Sequence, residues 1–179
     1  MTTRDDGIEA SAGCIIFRND AELGPCVLLL QTYARYDLPK GHIEKSDRSA
    51  YAAAIRETFE ECGYRVVEDP AFDLEPGAPV ARLLHGVTEP IECLNINAKN
   101  GVIKKIVYLF PVETLCPKAT LLPNAKSNVM EHHGYKWEPI SSIKTSGLHP
   151  YLQTGVLEAY DLYETHIAVN KALDQFKQA

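Results

Sequence analysis

A stretch of helical periodicity over residues 48–62 constrains the fold of this chain more than any other segment. Its apolar positions recur at intervals of three and four residues, at Ala52, Ile55, Phe59 and Cys62. Because charged residues occupy another face, the pattern predicts an amphipathic helix with one side on a core. Ser46 or Asp47 is expected to cap the start of this helix, and Gly63 stands where a left-handed C-terminal residue is favoured.

Short apolar runs bounded by turn residues predict the strands. These runs are residues 11–17, 26–32, 80–85, 103–112 and 135–139. The run 80–85 is the only strand expected within the loop-rich stretch 66–89. Residues 148–164 and the tail to Phe176 have helical spacing, with Gly155 expected to interrupt the helix. Strands and helices that do not alternate strictly indicate an α+β or mixed layered architecture.

Composition limits the class of protein. A length of 179 residues predicts a single domain over 1–179, with a core of about 10–167. Hydrophobic residues make up 45% and charged residues 23%, as in ordinary globular proteins. The net charge of -6 argues against general nucleic-acid binding and against a polybasic membrane anchor. No apolar run approaches the ~20 residues needed to span a bilayer.

The cysteines and the N-terminal residues bear on the compartment. The five cysteines are scattered and form no C-x-x-C pair, so reduced, structural thiols are expected. Residues 1–7 are polar and acidic, and do not resemble a secretory signal. We therefore expect a cytoplasmic protein.

Three glutamates in the predicted helix indicate metal chemistry. Glu57, Glu60 and Glu61 stand at i, i+3 and i+4, so their carboxylates project from one helix face. Clustered carboxylates repel one another unless a cation neutralises them, and hard oxygen donors suit Mg²⁺ or Mn²⁺. The alternative is a solvated acidic face paired with Arg56 and other basic residues.

The whole segment 41–64 resembles the Nudix box, G-x5-E-x7-R-E-U-x-E-E-x-G-U, where U is aliphatic. The positions in register are Gly41, Arg56, Glu57, Glu60, Glu61 and Gly63. Asp47 stands where the first glutamate is expected, and eight rather than seven residues separate it from Arg56. The resemblance implies a loop-helix-loop unit on an α/β/α sandwich with a mixed sheet. In that family the first acid supports the loop through the arginine.

The resemblance also implies roles for individual residues. The implied metal ligands for Mg²⁺ or Mn²⁺ are Gly41, Glu57, Glu60, Glu61 and Glu131. The implied catalytic residues are Arg56, Glu57, Glu60 and Glu131. The implied reaction is in-line attack of water on a phosphoanhydride bond, with the ions lowering the pKa of the water and neutralising the leaving phosphate.

Three further segments are similar to the asymmetric diadenosine tetraphosphate hydrolases of this superfamily. They are L-P-K-G-H at 38–42, K-K-I-V-Y at 104–108 and E-H-H-G-Y-K-W at 131–137. The implied substrate is a small nucleoside polyphosphate, cleaved in the case of diadenosine tetraphosphate to ATP and AMP. Its implied contacts are Lys40, His42, Lys104, Lys105 and Tyr135. The lysines would offset the repulsion between a polyphosphate and an acidic chain.

Two departures from those relatives bear on specificity. Residues 95–100 read N-I-N-A-K-N, where the relatives place a tyrosine that sandwiches the adenine. Residues 68–79 read as an insertion.

Other functions are compatible with these sequence features. A diphosphoinositol polyphosphate phosphohydrolase shares the L-P-K-G start, but its strongly anionic substrate favours a more basic surface. Removal of pyrophosphate from RNA 5′ ends is disfavoured by the same charge argument. A non-catalytic module with this fold would bind a nucleotide or a protein without turnover, and metal-dependent phosphate release would separate it from the enzymes.

Overall fold

The structure is a computed structural model that describes residues 6–179, so most of the segment 1–7 lies outside the described residues. The strands are β1 (Glu9–Asp20), β2 (Gly24–Gln31), β3 (Tyr36–Asp37), β4 (Lys40–His42), β5 (Arg65–Val67), β6 (Val80–Leu83), β7 (Ile91–Ile96), β8 (Ile103–Thr114) and β9 (Gly134–Pro139). The helices are α1 (Ala50–Cys62) and α2 (Pro150–Gln178), with a 3-10 helix over Ile140–Thr145. Within the described range, none of the helices has the length and apolar character to cross a membrane.

The strands form one mixed sheet around β1. The main path is β3-β2-β1-β8-β6-β5, while β4 pairs with β1, β7 with β8 and β9 with β2. β1 runs antiparallel to β2 and parallel to β8. The predicted strand runs all lie within or beside observed strands, and the mixed sheet is confirmed.

Helices cover both faces of the sheet. Successive residues of β1 alternate between two cores, because side chains of a strand point to opposite faces. Ile15 and Phe17 belong to the cluster beneath α2, and Cys14 and Ile16 to the cluster beneath α1. This layering confirms the predicted α+β class and the α/β/α sandwich. All five cysteines are buried, free thiols.

The start of α1 differs from the expectation. Ser49, rather than Ser46 or Asp47, is the N-cap, and its side chain accepts a hydrogen bond from the backbone N–H of Ala52. Asp47 does not cap α1, because its carboxylate instead accepts the backbone N–H of Glu44 and two hydrogen bonds from Arg56. The C-terminal expectation is confirmed, since Gly63 has φ 79° and closes the helix.

The prediction of an interruption at Gly155 is wrong. α2 is one continuous helix of 29 residues, and Gly155 is buried inside its first half. A Cβ at this position would lie 2.3 Å from the Cys93 sulfur. The glycine therefore allows close packing of α2 over β7, and this packing outweighs the low helix propensity of glycine.

Four strands were not predicted. β3 has two residues, and β4 and β5 have three each, too few to give a pattern. β7 carries polar and exposed residues between its buried ones, and its register with β8 is irregular at Asn95 and Ile96. Residues 68–79, predicted to be an insertion, form an irregular connection between β5 and β6.

Candidate active site

A cavity of about 600 Å³ lies where β4, the start of β1 and the carboxylate face of α1 meet the segment before β9. Most of the predicted site residues line it: Lys40, Gly41, His42, Arg56, Glu57, Glu60, Glu61, Lys105 and Glu131. The chain brings them together from four separate segments. These side chains therefore share one space large enough for a nucleotide-sized ligand.

Two glycines allow close backbone approaches at this site. Gly41 in β4 lies opposite Ala12 of β1, and a Cβ on Gly41 would stand 2.2 Å from the Glu57 carboxyl carbon. A Cβ on Gly13 would stand 2.0 Å from the Pro39 carbonyl oxygen. No side chain fits at either position, so Gly41 allows β4 to approach the carboxylate helix and Gly13 allows β1 to approach the start of β4.

Arg56 connects the helix to the loop before it. Its Nε and Nη2 donate to the two oxygens of Asp47 at 3.0 and 2.8 Å, and Nη2 also donates to the His42 carbonyl at 3.1 Å. The hydrogen bonds from Arg56 hold the pKa of Asp47 below its usual range. Asp47 thus makes the loop-supporting contact to the arginine that the resemblance assigned to a glutamate.

The same guanidinium also reaches the carboxylate face. Its Nη1 donates to Glu57 at 2.7 Å and to Glu60 at 3.1 Å. Glu61 accepts the backbone N–H of Lys40 at 3.0 Å. Burial raises the pKa of Glu57 and raises that of Glu61 further, and the proximity of these two carboxylates adds to the shift at Glu61. Keeping both ionised is therefore costly even with Arg56 bonded to Glu57.

The carboxylate oxygens of this site are chemically suited to a divalent cation, but they do not converge on a single metal position. Within residues 6–179, no group of three or more His, Cys, Asp or Glu side chains is close enough together to hold an ion. Glu57 and Glu60 are bonded to Arg56, as described above. The available donors are hard carboxylate oxygens, partly buried and in mutual repulsion, and these suit Mg²⁺ or Mn²⁺. Binding would require Glu60 to exchange its present partner, Arg56, for the ion.

Basic side chains flank the carboxylates, and each has an acidic partner. Lys40 bonds Asp37 at 3.0 Å, and Lys105 bonds Glu9 at 2.9 Å. Burial lowers the pKa of Lys40, but the Asp37 carboxylate outweighs that effect and the net pKa is raised. His42 lies 3.4 Å from Glu9 on the same side of the cavity. The Lys40 and Lys105 side chains are thus fixed in place by these carboxylates.

Glu131 faces the helix carboxylates from the segment between β8 and β9. Its Oε1 accepts a hydrogen bond of 2.7 Å from the Asn124 side-chain amide. His132 lies beside it in the lining of the cavity, and burial lowers the pKa of this imidazole. This segment therefore supplies both an acid and a neutral imidazole to the cavity.

Lys104 and Tyr135 are not among the residues that line the cavity. Lys104 is exposed and follows the opposite alternation in β8 from Lys105, so the two lysines project to different faces. Tyr135 packs against the core beneath α1, together with Trp137. Their roles in substrate binding stay predictions that the cavity itself does not support.

Other lining residues were not predicted. They are Ser11, Thr32, Asp37, Glu44, Asn124, Ala125, Lys126 and His132. Asp37 carries a signal that was available, because it stands directly before the L-P-K-G-H segment and three residues before Lys40. Lys126 and Glu44 carry none, since 82 positions separate them in the sequence.

Comparison with known proteins places this chain in a family. A family model described as the NUDIX domain matches residues 7–154. The chain therefore belongs to the NUDIX domain family, whose hydrolases generally use divalent metal ions and act on substrates that contain a nucleoside diphosphate. None of the curated proteins matches this chain.

Solved structures share the fold at low identity. The Caenorhabditis elegans Ap4A hydrolase in a binary complex is 19% identical, with a TM-score of 0.56 over 88% of this chain and 98% of that chain. The NUDIX domain of Shewanella oneidensis NrtR, complexed with ADP ribose, is 16% identical, with a TM-score of 0.57 over 86% and 87%. The Escherichia coli dihydroneopterin triphosphate pyrophosphohydrolase is 17% identical, with a TM-score of 0.55 over 84% and 95%.

Proposed function

We propose that this protein is a divalent-metal-dependent hydrolase of phosphoanhydride bonds in nucleoside polyphosphates, which cleaves diadenosine tetraphosphate asymmetrically to ATP and AMP. One observation carries the proposal. Glu57, Glu60, Glu61 and Glu131 line one cavity with Lys40, Lys105 and Arg56. Acidic groups that can hold a cation thus stand beside fixed basic groups that can hold phosphates.

Each group has a role that its surroundings support. The ligands of Mg²⁺ or Mn²⁺ would be Glu57, Glu60, Glu61, Glu131 and the Gly41 backbone. A bound cation would lower the pKa of a water molecule and neutralise charge on the leaving phosphate. Arg56 orients Glu57 and ties the helix to the loop through Asp47, while Glu60 would exchange Arg56 for the cation.

The substrate is held by charge and by position. Lys40 and Lys105 present fixed ammonium groups to the cavity, which offsets the repulsion between a polyphosphate and an acidic chain. His42 lies in the same wall and adds a hydrogen-bonding group. The preference for diadenosine tetraphosphate is supported by the L-P-K-G-H and E-H-H-G-Y-K-W segments and by the fold shared with the C. elegans Ap4A hydrolase.

Product analysis tests the proposal. Purified protein is incubated with diadenosine tetraphosphate and magnesium, beside a sample with excess chelator and a Glu60→Gln variant. We expect ATP and AMP in the magnesium sample alone, and a fall in kcat of at least about 100-fold for the variant. Two ADP would refute asymmetric cleavage, and full activity of Glu60→Gln would refute the metal-carboxylate mechanism. Absence of turnover on this substrate and on inositol pyrophosphates would favour the alternative of a non-catalytic binding module.

A further inference from the structure

The cavity is bounded on one side by the loop over residues 120–133, which contributes Asn124, Lys126 and Glu131 to the lining. It runs between Thr120, whose N–H bonds the Cys62 carbonyl at 3.0 Å, and His133, whose N–H bonds the Gln31 carbonyl at 2.9 Å. Both ends are therefore fixed to the fold. Asn124 organises the middle, because its side-chain oxygen accepts the backbone N–H groups of Lys126 and Ser127.

Lys126 stands at the tip of this loop and reaches across to the opposite wall. Its ammonium lies 2.5 Å from a carboxylate oxygen of Glu44, in the loop between β4 and α1. Both residues line the cavity with the glutamates of α1. The ion pair thus bridges two walls of the space that holds the carboxylates.

Exposure distinguishes this pair from the other ion pairs of the cavity. The Lys40, Arg56 and Lys105 side chains are 11%, 25% and 20% exposed, so their pairs are largely shielded from water. Lys126 is 81% exposed. A solvent-exposed ion pair gains little net free energy, because water screens it and two long side chains must be ordered. Lys126 is therefore the lining cation that an incoming anion displaces from its partner most easily.

We propose that Lys126 is a phosphate-binding residue of this site, and that Glu44 occupies it as an internal competitor until a polyphosphate arrives. The inference rests on the proposed function and adds a specificity residue to it. A phosphate offers Lys126 more charge and more acceptor oxygens than a single carboxylate does. The ammonium can accordingly exchange Glu44 for the ligand.

The experiment compares two variants that break the same ion pair. Binding is measured with adenosine α,β-methylene diphosphate and magnesium, because the methylene bridge prevents cleavage and isolates binding from turnover. Lys126→Ala should weaken binding about 5- to 10-fold at low salt. Glu44→Gln should tighten it about 2- to 5-fold, since the competitor loses its charge. Both effects should shrink as salt rises, because these groups are exposed.

Controls distinguish phosphate binding by Lys126 from an ion pair that only fixes the loop. Lys118→Ala removes an exposed lysine from outside the cavity lining and should leave affinity unchanged. If the ion pair only fixes the loop, both pair variants will shift affinity in the same direction, which would overturn the inference. Equal affinity of Lys126→Ala and wild type, or no binding by the wild type, would overturn it as well.

The two proposals fail separately. Binding with the expected opposite shifts, but without hydrolysis of any polyphosphate, would refute the proposed function and leave Lys126 as a phosphate contact. Hydrolysis of diadenosine tetraphosphate with a KM that neither variant changes would support the proposed function and refute the phosphate-binding role of Lys126.

Discussion

Replacing Asp47 with asparagine removes the charge from the side chain that holds Arg56 against the loop. The wild-type carboxylate is 6% exposed and accepts two hydrogen bonds from the guanidinium, at 3.0 and 2.8 Å. An amide can accept one of these bonds, but its NH₂ group faces a donor at the other. Asp47→Asn should therefore lower the free energy of unfolding by about 2 kcal/mol, a value between those for breaking an exposed ion pair and a fully buried one.

Thermal unfolding in chelator measures this cost. For a chain of this size, about 2 kcal/mol corresponds to a fall in Tm of about 4 to 8 °C. Asp161→Asn is the matched control, because it makes the same charge change at an exposed position of α2 and should move Tm by no more than about 1 to 2 °C.

The pH dependence tests the cause. The pKa of Asp47 is lowered in the folded protein from an ordinary value of 3.8, chiefly by the hydrogen bonds from Arg56. A lowered pKa means that the stabilisation is complete above the unfolded value and is lost as pH falls through the folded one. The difference between wild type and Asp47→Asn should be full at pH 7 and shrink below about pH 4. A Tm equal to that of the control, or a difference unchanged at pH 3, would refute this reasoning.

Three further predictions concern packing and charge. Gly41→Ala should lower kcat at least about 100-fold in steady-state assays, because its methyl group meets the Glu57 carboxylate; wild-type kcat would contradict the packing. Gly155→Ala should lower the free energy of unfolding in urea by about 1 to 2 kcal/mol, because the added methyl group meets the Cys93 sulfur. The double variant with Cys93→Ala should regain most of this loss. A single variant more stable than wild type would show that helix propensity dominates. Burial raises the pKa of Glu61 above 4.5, so ionisation of Glu61 lowers the stability of the fold as pH rises past that value. Magnesium should therefore raise Tm more at pH 7.5 than at pH 5. An equal rise in Tm at both pH values would count against cation binding at Glu61.

Features that depend on neighbouring positions could be predicted from the sequence. The spacing of Glu57, Glu60 and Glu61 fixes their common face wherever the helix lies, because helical geometry is local. Gly63 ends α1 for an equally local reason. The apolar runs of β1, β2 and β8 are long enough to show without knowledge of their partners.

Features that depend on distant contacts could not be predicted. Gly155 suggests a helix break until Cys93 of β7 is seen against it. Lys104 and Lys105 are chemically alike, and only the register of β8 decides which one faces the cavity. Asp47 is equally suited to capping α1 and to pairing with Arg56, and the tertiary structure selects the pairing.

The parallel pairing of β1 with β8 governs how the protein acquires its cavity during synthesis. Glu9 lies opposite Lys105, about a hundred positions later in the chain. At about 5 to 20 residues per second, a ribosome needs roughly 5 to 20 s to make the intervening sequence. During this time the apolar β1 has one edge without its partner, and unpaired apolar edges promote aggregation. The wall that contains Lys105 is completed only when β8 docks, so the segment that forms α1 is synthesised well before the site can close.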